Sequence, residues 1–428
     1  MPEYKTGDIV LVKSIDKEYQ GILMPNEYSD SVVVKLGNGY NVGFDKKKVQ
    51  SIKLIEKYRP KSDKKQEPKP KKDLPTISVL STGGTISSKI DYRTGGVSAD
   101  YTAEDFINMC PELRDIANLR AKKVLSIMSE DANYNDWKNM TKILIEELDN
   151  KETDGIVMTT GTDTLHYIAS AMSFFIKNIN KPVIITASQR SIDRGSSDAF
   201  MNLICAVTAA AKFDGAVVAT CLHGTTNDDY CILIRGTKVR KMHTSRRDAF
   251  RPINELPLAK VFPNGKLEVL NNNYKKRTTQ KPELDFDFEQ KTALVQVYPG
   301  MDGEVIDYYE KKGYKGIVLS ATALGHVPVN GPGSILPNIK KAIKNGVHII
   351  IASQTLYGRT HPYVYSNLRK LSVDNKCIFV EDMLPETAYI KLGWVLAKTT
   401  KHEEVKELMQ KNIAGEINKR HNPESFLY

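Results

Sequence analysis

Over the first fifty residues apolar positions come in short runs broken by polar ones. GDIVLV is followed by GILMP and by SVVVKLGNGYNVGF, whose Asn38-Gly39 pair is a two-residue hairpin signal. The pattern predicts a small all-β barrel of the SH3 or Sm kind over residues 1–58. It breaks at RPKSDKKQEPKPKKDLP, Arg59 to Pro75, where lysine and proline replace apolar residues. Such a segment buries too little surface to offset its ordering entropy, so residues 59–75 read as a charged linker.

After Pro75 the period changes. TISVL, GIVMTT, PVIITA and GAVVAT are continuous apolar runs, and between them Leu165, Ile168, Ala169, Met172 and Ile176 recur at helical spacing. A mostly parallel sheet covered by helices follows. A second series begins near Thr292 with ALVQVYP and continues through GIVLSA, VHIIIA and CIFVED. Two α/β domains are therefore predicted, residues 76–275 and 290–428, joined by a polar segment containing NNNYKKRTTQKPE. A closing helix near Glu403 to Asn412 puts Val405, Leu408 and Met409 on one face.

Composition narrows the class. With 428 residues, 41% hydrophobic and 26% charged, the chain has the profile of a soluble globular protein of two or three domains. No run approaches the ~18 to 20 apolar residues of a membrane helix, and MPEYKTGDIV is not a secretory leader. A cytoplasmic location is expected. The five cysteines, Cys110, Cys205, Cys221, Cys231 and Cys377, show no CxxC spacing, which argues against a zinc site or a disulfide framework. Net charge is +10, and residues 1 to 75 hold sixteen basic against eleven acidic residues, half of that excess in under a fifth of the chain. Nucleic acid or an acidic partner suits that part.

In open α/β sheets ligands sit beyond the carboxyl ends of the strands. Three such ends carry hydroxyl-and-acid clusters: STGGT (Ser81 to Thr85), MSED (Met128 to Asp131) and TTGTDT (Thr159 to Thr164). Any one alone is ordinary helix-cap chemistry. Three together, pressed against glycines, suggest a site. A threonine hydroxyl becomes nucleophilic only when a base takes its proton. Asp163 supplies a negative charge beside Thr162, and a lysine in a dry pocket can act as base. RGTKVRKMHTSRRDAF offers Lys238 and Lys241, and spacing does not choose between them. His166, His223, His243 and His326 lie near these motifs and are read as structural, His243 having the best claim to a role because it follows Lys241 by two.

TGGTI at 82 to 86, MSED, TTGTDT and VRKMHTS at 239 to 245 resemble, in order, the four active-site motifs of the L-asparaginase/glutaminase amidohydrolases. The resemblance extends from about Thr76 to the C-terminus, including GIVLSATALGHVP and EDMLPETA. It implies an asparaginase-like pair of α/β domains with parallel sheets, and amide hydrolysis without a metal or organic cofactor in this chain. It places Thr85 as nucleophile, with Thr162, Asp163 and Lys241 as second threonine, acid and base. Tyr92, on IDYRTGG, matches a loop tyrosine that closes over substrate, and Ser129 matches the serine that holds the α-carboxylate. Glu130 stands where bacterial enzymes often have glutamine and is placed near the α-ammonium.

The basic N-terminal region sets the chain apart from free asparaginases. That layout, with YGRTHPYVYSNLRKL, EDMLPETAYIKL and NIAGEI, is similar to the D subunits of archaeal glutamyl-tRNA(Gln) amidotransferases. This resemblance implies a homodimer, an E-type partner subunit carrying ATP and Mg2+, ammonia passed to it from glutamine or asparagine, and Glu-tRNA(Gln) as the acceptor met through the complex. Two further readings stand beside it: an independent cytoplasmic L-asparaginase, and a binding module with a vestigial active site.

Overall fold

The computed structural model describes residues 4–15, 17–24, 30–36, 41–57, 70–84, 89–90, 97–98, 110–192 and 196–428. Asn38-Gly39, most of the 59–75 segment, Thr85 and Tyr92 lie outside the described residues.

Ile9–Ser14, Glu18–Met24, Ser31–Leu36, Asn41–Asp45 and Val49–Glu56 form one antiparallel sheet. Its fifth strand returns to pair with the first, with register shifts at both ends that bend the ribbon. Alternation puts Val10, Val12, Val32 and Val34 inward with Phe44, while Lys13 and Ile22 face out.

The first α/β domain is built on an eight-stranded sheet. Five parallel strands run in the order Asn118–Ile127, Thr76–Gly83, Gly155–Thr159, Val183–Thr186, Val218–His223. Three antiparallel strands, Cys231–Arg235, Ala259–Val261 and Leu267–Val269, extend the far edge. Apolar runs are buried on both faces because helices cover both: Ile156, Met158 and Leu80 pack with Tyr134–Asp149 and Leu165–Phe175, whereas Ile77, Val157 and Ile184 pack against Ala199–Lys212. The apolar-run reading missed Asn118–Ile127. Its sequence NLRAKKVLSI is an edge strand whose alternate positions are cationic and exposed.

The strand order decides where a ligand goes. From Thr76–Gly83 the chain adds its next strand on one side, then crosses to the other side for Gly155–Thr159, so the winding reverses between these two strands. Such a reversal places the ligand crevice at their carboxyl ends.

The second α/β domain is a four-stranded parallel sheet, Thr292–Gln296, Gly316–Ala321, His348–Ser353 and Ile378–Phe379, in sequential order. Glu304–Lys311 and Leu336–Lys344 pack on one face. On the other, Pro385–Leu396 lies against Leu165–Phe175 of the first domain, with the Phe174 and Trp394 rings 5.9 Å apart. The two domains thus share one apolar core that includes Phe175, Phe288, Ile390 and Trp394. No helix among the described residues is long and apolar enough to cross a membrane.

Candidate active site

The crevice is held together by glycines. Strand Thr76–Gly83 runs into Gly84, and Gly83 and Gly84 have φ of +107° and +77°, a region L side chains rarely enter. A Cβ on Gly84 would lie 2.2 Å from the Gly161 nitrogen, and one on Gly161 would lie 2.7 Å from Ser129 Oγ. Gly84 therefore meets the Gly161 backbone, and Gly161 the Ser129 side chain, at separations only glycine permits. Gly84 N–H donates to Ile127 O at 3.0 Å. Thr82 is fully buried, its hydroxyl donating to Thr159 O at 3.0 Å, and serves the framework.

Ser129 begins the short turn Ser129–Asp131 and is 3% exposed. Its Oγ accepts from Asp163 N–H at 3.1 Å and Thr164 N–H at 3.4 Å, and the Thr164 hydroxyl donates back to Ser129 O. With both accepted bonds coming from backbone, the Ser129 hydroxyl keeps its own proton to donate. Glu130, next along the turn, is exposed at the same rim.

Lys241 reaches this crevice from a hairpin in which Val239–Lys241 pairs with Phe250–Pro252, Lys241 opposite Phe250. Its Nζ donates to Thr162 Oγ1 at 2.9 Å and to Asp163 Oδ1 at 2.7 Å. The lysine side chain is 12% exposed and the aspartate 60%, so the ammonium is nearly dry while its counter-ion is open to water. Geometry also separates the two lysines that spacing left open. Lys238 Nζ lies 2.7 Å from Asp382 Oδ2, both side chains fully buried, and does not reach the crevice groups.

The histidines have other duties. Burial, and then the nearby Arg240 and Lys241 cations, push His166 down to about 3, so it is neutral across physiological pH. His223 is wedged between Asn202 Oδ1 at 2.6 Å and Asp228 Oδ1 at 3.0 Å. His243 Nδ1 accepts from the Ser245 and Arg246 N–H groups, each at 3.1 Å, closing the turn that follows Lys241. Among the described residues no cluster of histidine, cysteine or carboxylates is arranged to hold a metal, and the five cysteines are buried and unbridged. A cavity of about 570 Å³ opens elsewhere, between Phe174, Arg235, Trp394 and Ala414, and none of the described motif residues lines it. Asp382 and Glu386, which grip the Lys241 hairpin, and Arg240 and Asn254, by which the hairpin reaches the C-terminal domain, are the residues sequence reasoning overlooked. The alternating cations of KVRK and the acids four apart in EDMLPE were the only trace of them.

Comparison with known proteins identifies the family and the fold. Residues 76–275 match the family model "Asparaginase, N-terminal", residues 291–409 the "Glutaminase/Asparaginase C-terminal domain" and residues 4–55 the "GatD N-terminal domain". The fold is similar to the thermostable L-asparaginase from Thermococcus kodakarensis, with a TM-score of 0.71 and 29% identity, covering 81% of this chain and 100% of that one. L-asparaginase I from Vibrio cholerae aligns with a TM-score of 0.70 at 27% identity, covering 81% and 99%. In sequence the chain is 47% identical to the D subunit of the Pyrococcus furiosus glutamyl-tRNA(Gln) amidotransferase, over 99% of this chain and 97% of that protein. It is 44% identical to the D subunit of the Methanococcus maripaludis enzyme, over 98% and 99%. The chain belongs to the D-subunit family of the glutamyl-tRNA(Gln) amidotransferases, enzyme subunits on the two-domain asparaginase fold.

Proposed function

We propose that the chain releases ammonia from glutamine, with asparagine as a substitute, through a threonine nucleophile. An E-type partner subunit then uses that ammonia, with ATP and Mg2+ bound on the partner, to convert Glu-tRNA(Gln) to Gln-tRNA(Gln). The observation that carries the reading is the Lys241 ammonium bonded at once to Thr162 and Asp163, in the crevice beside Gly84.

The chemistry follows from those contacts. In its neutral form Lys241 draws the proton of Thr162 or of a water held there, which in turn takes the proton of Thr85, while Asp163 holds the amine in place. Thr85, the residue after Gly84, attacks the carboxamide carbon. Its proton reaches the departing nitrogen, and ammonia leaves an acyl-enzyme that water then clears by the same relay. Ser129, with its proton free, suits the substrate α-carboxylate, Glu130 suits the α-ammonium, and Tyr92 is assigned to closure over the pocket. Nothing in this sequence of steps draws on a metal or organic cofactor in this chain. The active assembly is a homodimer of this chain joined to the partner.

The second reading, an independent L-asparaginase, is favoured by the alignment with whole L-asparaginases over 81% of the chain. One assay separates the two. Ammonia release from glutamine that rises sharply when partner and Glu-tRNA(Gln) are added supports the amidotransferase role, and full turnover on asparagine without either defeats it. Preference between the two amides turns on about one methylene of pocket depth, roughly 1 to 3 kcal/mol.

A further inference from the structure

Lys241 is held from behind. Side chains alternate along Val239–Lys241, so Lys238 and Arg240 share the face opposite Lys241. Both reach into the C-terminal domain. Lys238 meets Asp382 in a fully buried pair, and Arg240 is ion-paired with Glu386. The two acids bracket the start of helix Pro385–Leu396. The flanking residues repeat the grip: the Thr387 hydroxyl donates to Thr237 O at 3.2 Å and the Thr237 hydroxyl to Ala414 O at 3.1 Å. On the returning side of the hairpin, Asn254 Nδ2 donates to Gly358 O at 3.1 Å and Gly358 N–H to Asn254 Oδ1 at 2.9 Å.

Stability alone does not ask for such pairs. Taking two charges out of water costs several kcal/mol each, and well-packed apolar replacements are often as stable or more so. Burial by itself would raise the Asp382 carboxyl, but the Lys238 ammonium and the Asn418 donors hold it below the usual range. What a hydrogen-bonded ion pair adds over an apolar contact is direction.

We propose that Asp382 and Glu386 are positioning residues for amide hydrolysis: through Lys238 and Arg240 they fix the hairpin so that Lys241 Nζ meets Thr162 and Asp163 together. The assignment rests on Lys241 being the base. A displacement of about 1 Å would break both contacts, and misplacement of that size can cost on the order of 100-fold in rate. The second domain, which supplies none of the described crevice groups, thereby aims the base.

The test uses the full chain, with Glu386→Gln as the main variant because Arg240 is 28% exposed and is left less stranded than Lys238 would be. Asp285→Asn is the control. That carboxylate also joins the domains, pairing with Lys177 and Lys398 at the other end of helix Pro385–Leu396. Glu386→Gln is expected to lower kcat for glutamine roughly 10- to 100-fold with KM within about twofold. Asp285→Asn is expected to lower the melting temperature as much and leave kcat unchanged. Equal kcat in the two variants overturns the proposal. Asp382→Asn, read the same way when circular dichroism shows it folded, is expected to lose more. Lys241→Ala in parallel keeps the failures apart: if it retains activity the base assignment falls, whereas if it is inactive and Glu386→Gln is not, only the positioning role falls.

Discussion

The two α/β domains are written in the same pattern of parallel strands and covering helices, yet among the described residues the contact of lysine, threonine and aspartate lies in the first. In the first, the strand order reverses between Thr76–Gly83 and Gly155–Thr159, and glycines let three polar strand ends touch. In the second, the strands follow in sequence and their polar ends are satisfied by backbone. Gln354 Nε2 donates to Val297 O at 2.8 Å and Ser320 O at 3.1 Å, and the Ser353 hydroxyl donates to Ala323 O at 2.7 Å. A hydroxyl bonded to a lysine is available for proton transfer, whereas one spent on a carbonyl is framework. Topology, more than composition, separates the two.

The largest expected effect separates two lysines three residues apart. Lys241→Ala should cut kcat for glutamine by about 1000-fold or more, because nucleophile and base act as a unit, while the melting temperature changes little. Lys238→Met should differ by its loss of stability, costing roughly 3 to 5 kcal/mol in chemical denaturation because the Asp382 carboxylate is left buried without its lysine, with a smaller fall in kcat through the loosened hairpin. Next, the comparison extends to glycines. Gly84→Ala, whose Cβ meets Gly161 backbone, should reduce kcat about 100-fold by spreading the crevice. Gly346→Ala in the second domain has a similar φ of +84° but open space around it, and should cost only about 1 kcal/mol of stability with activity retained.

A smaller effect tests the dryness of the seam behind the crevice. An unfolded histidine titrates near 6.5, whereas His166 titrates at about 3 in the folded chain. Between those values the unfolded chain binds the extra proton, so stability falls as pH drops below 6.5. At pH 4.5 this amounts to roughly 2 to 3 kcal/mol. In His166→Gln the difference in unfolding free energy between pH 7 and pH 4.5 should shrink by that amount. An unchanged difference would mean that water reaches the ring.

The sequence made much of this visible because its signals are local. Continuous apolar runs mark strands buried on both faces, and Thr162-Asp163 marks a strand end whatever lies around it. Asn118–Ile127 escaped because an edge strand faces water and carries Arg120, Lys122 and Lys123 where apolar residues would have betrayed it. Lys238 looked as good a base as Lys241 because its partner Asp382 stands 144 residues away, a separation no spacing rule spans. For the same reason Glu386, in the first turn of helix Pro385–Leu396, was overlooked.

If the Lys241–Thr162–Asp163 contact belongs to an ammonia-releasing site that feeds amidation of Glu-tRNA(Gln), the donor half of the reaction must fail without it and the acceptor half must survive. The most direct test is Gln-tRNA(Gln) formation by the Lys241→Ala chain assembled with its partner subunit, run with glutamine and separately with ammonium as nitrogen donor. The predicted result is loss of the glutamine-fed reaction by about 1000-fold or more with the ammonium-fed reaction near wild type. Undiminished glutamine-fed amidation would contradict it.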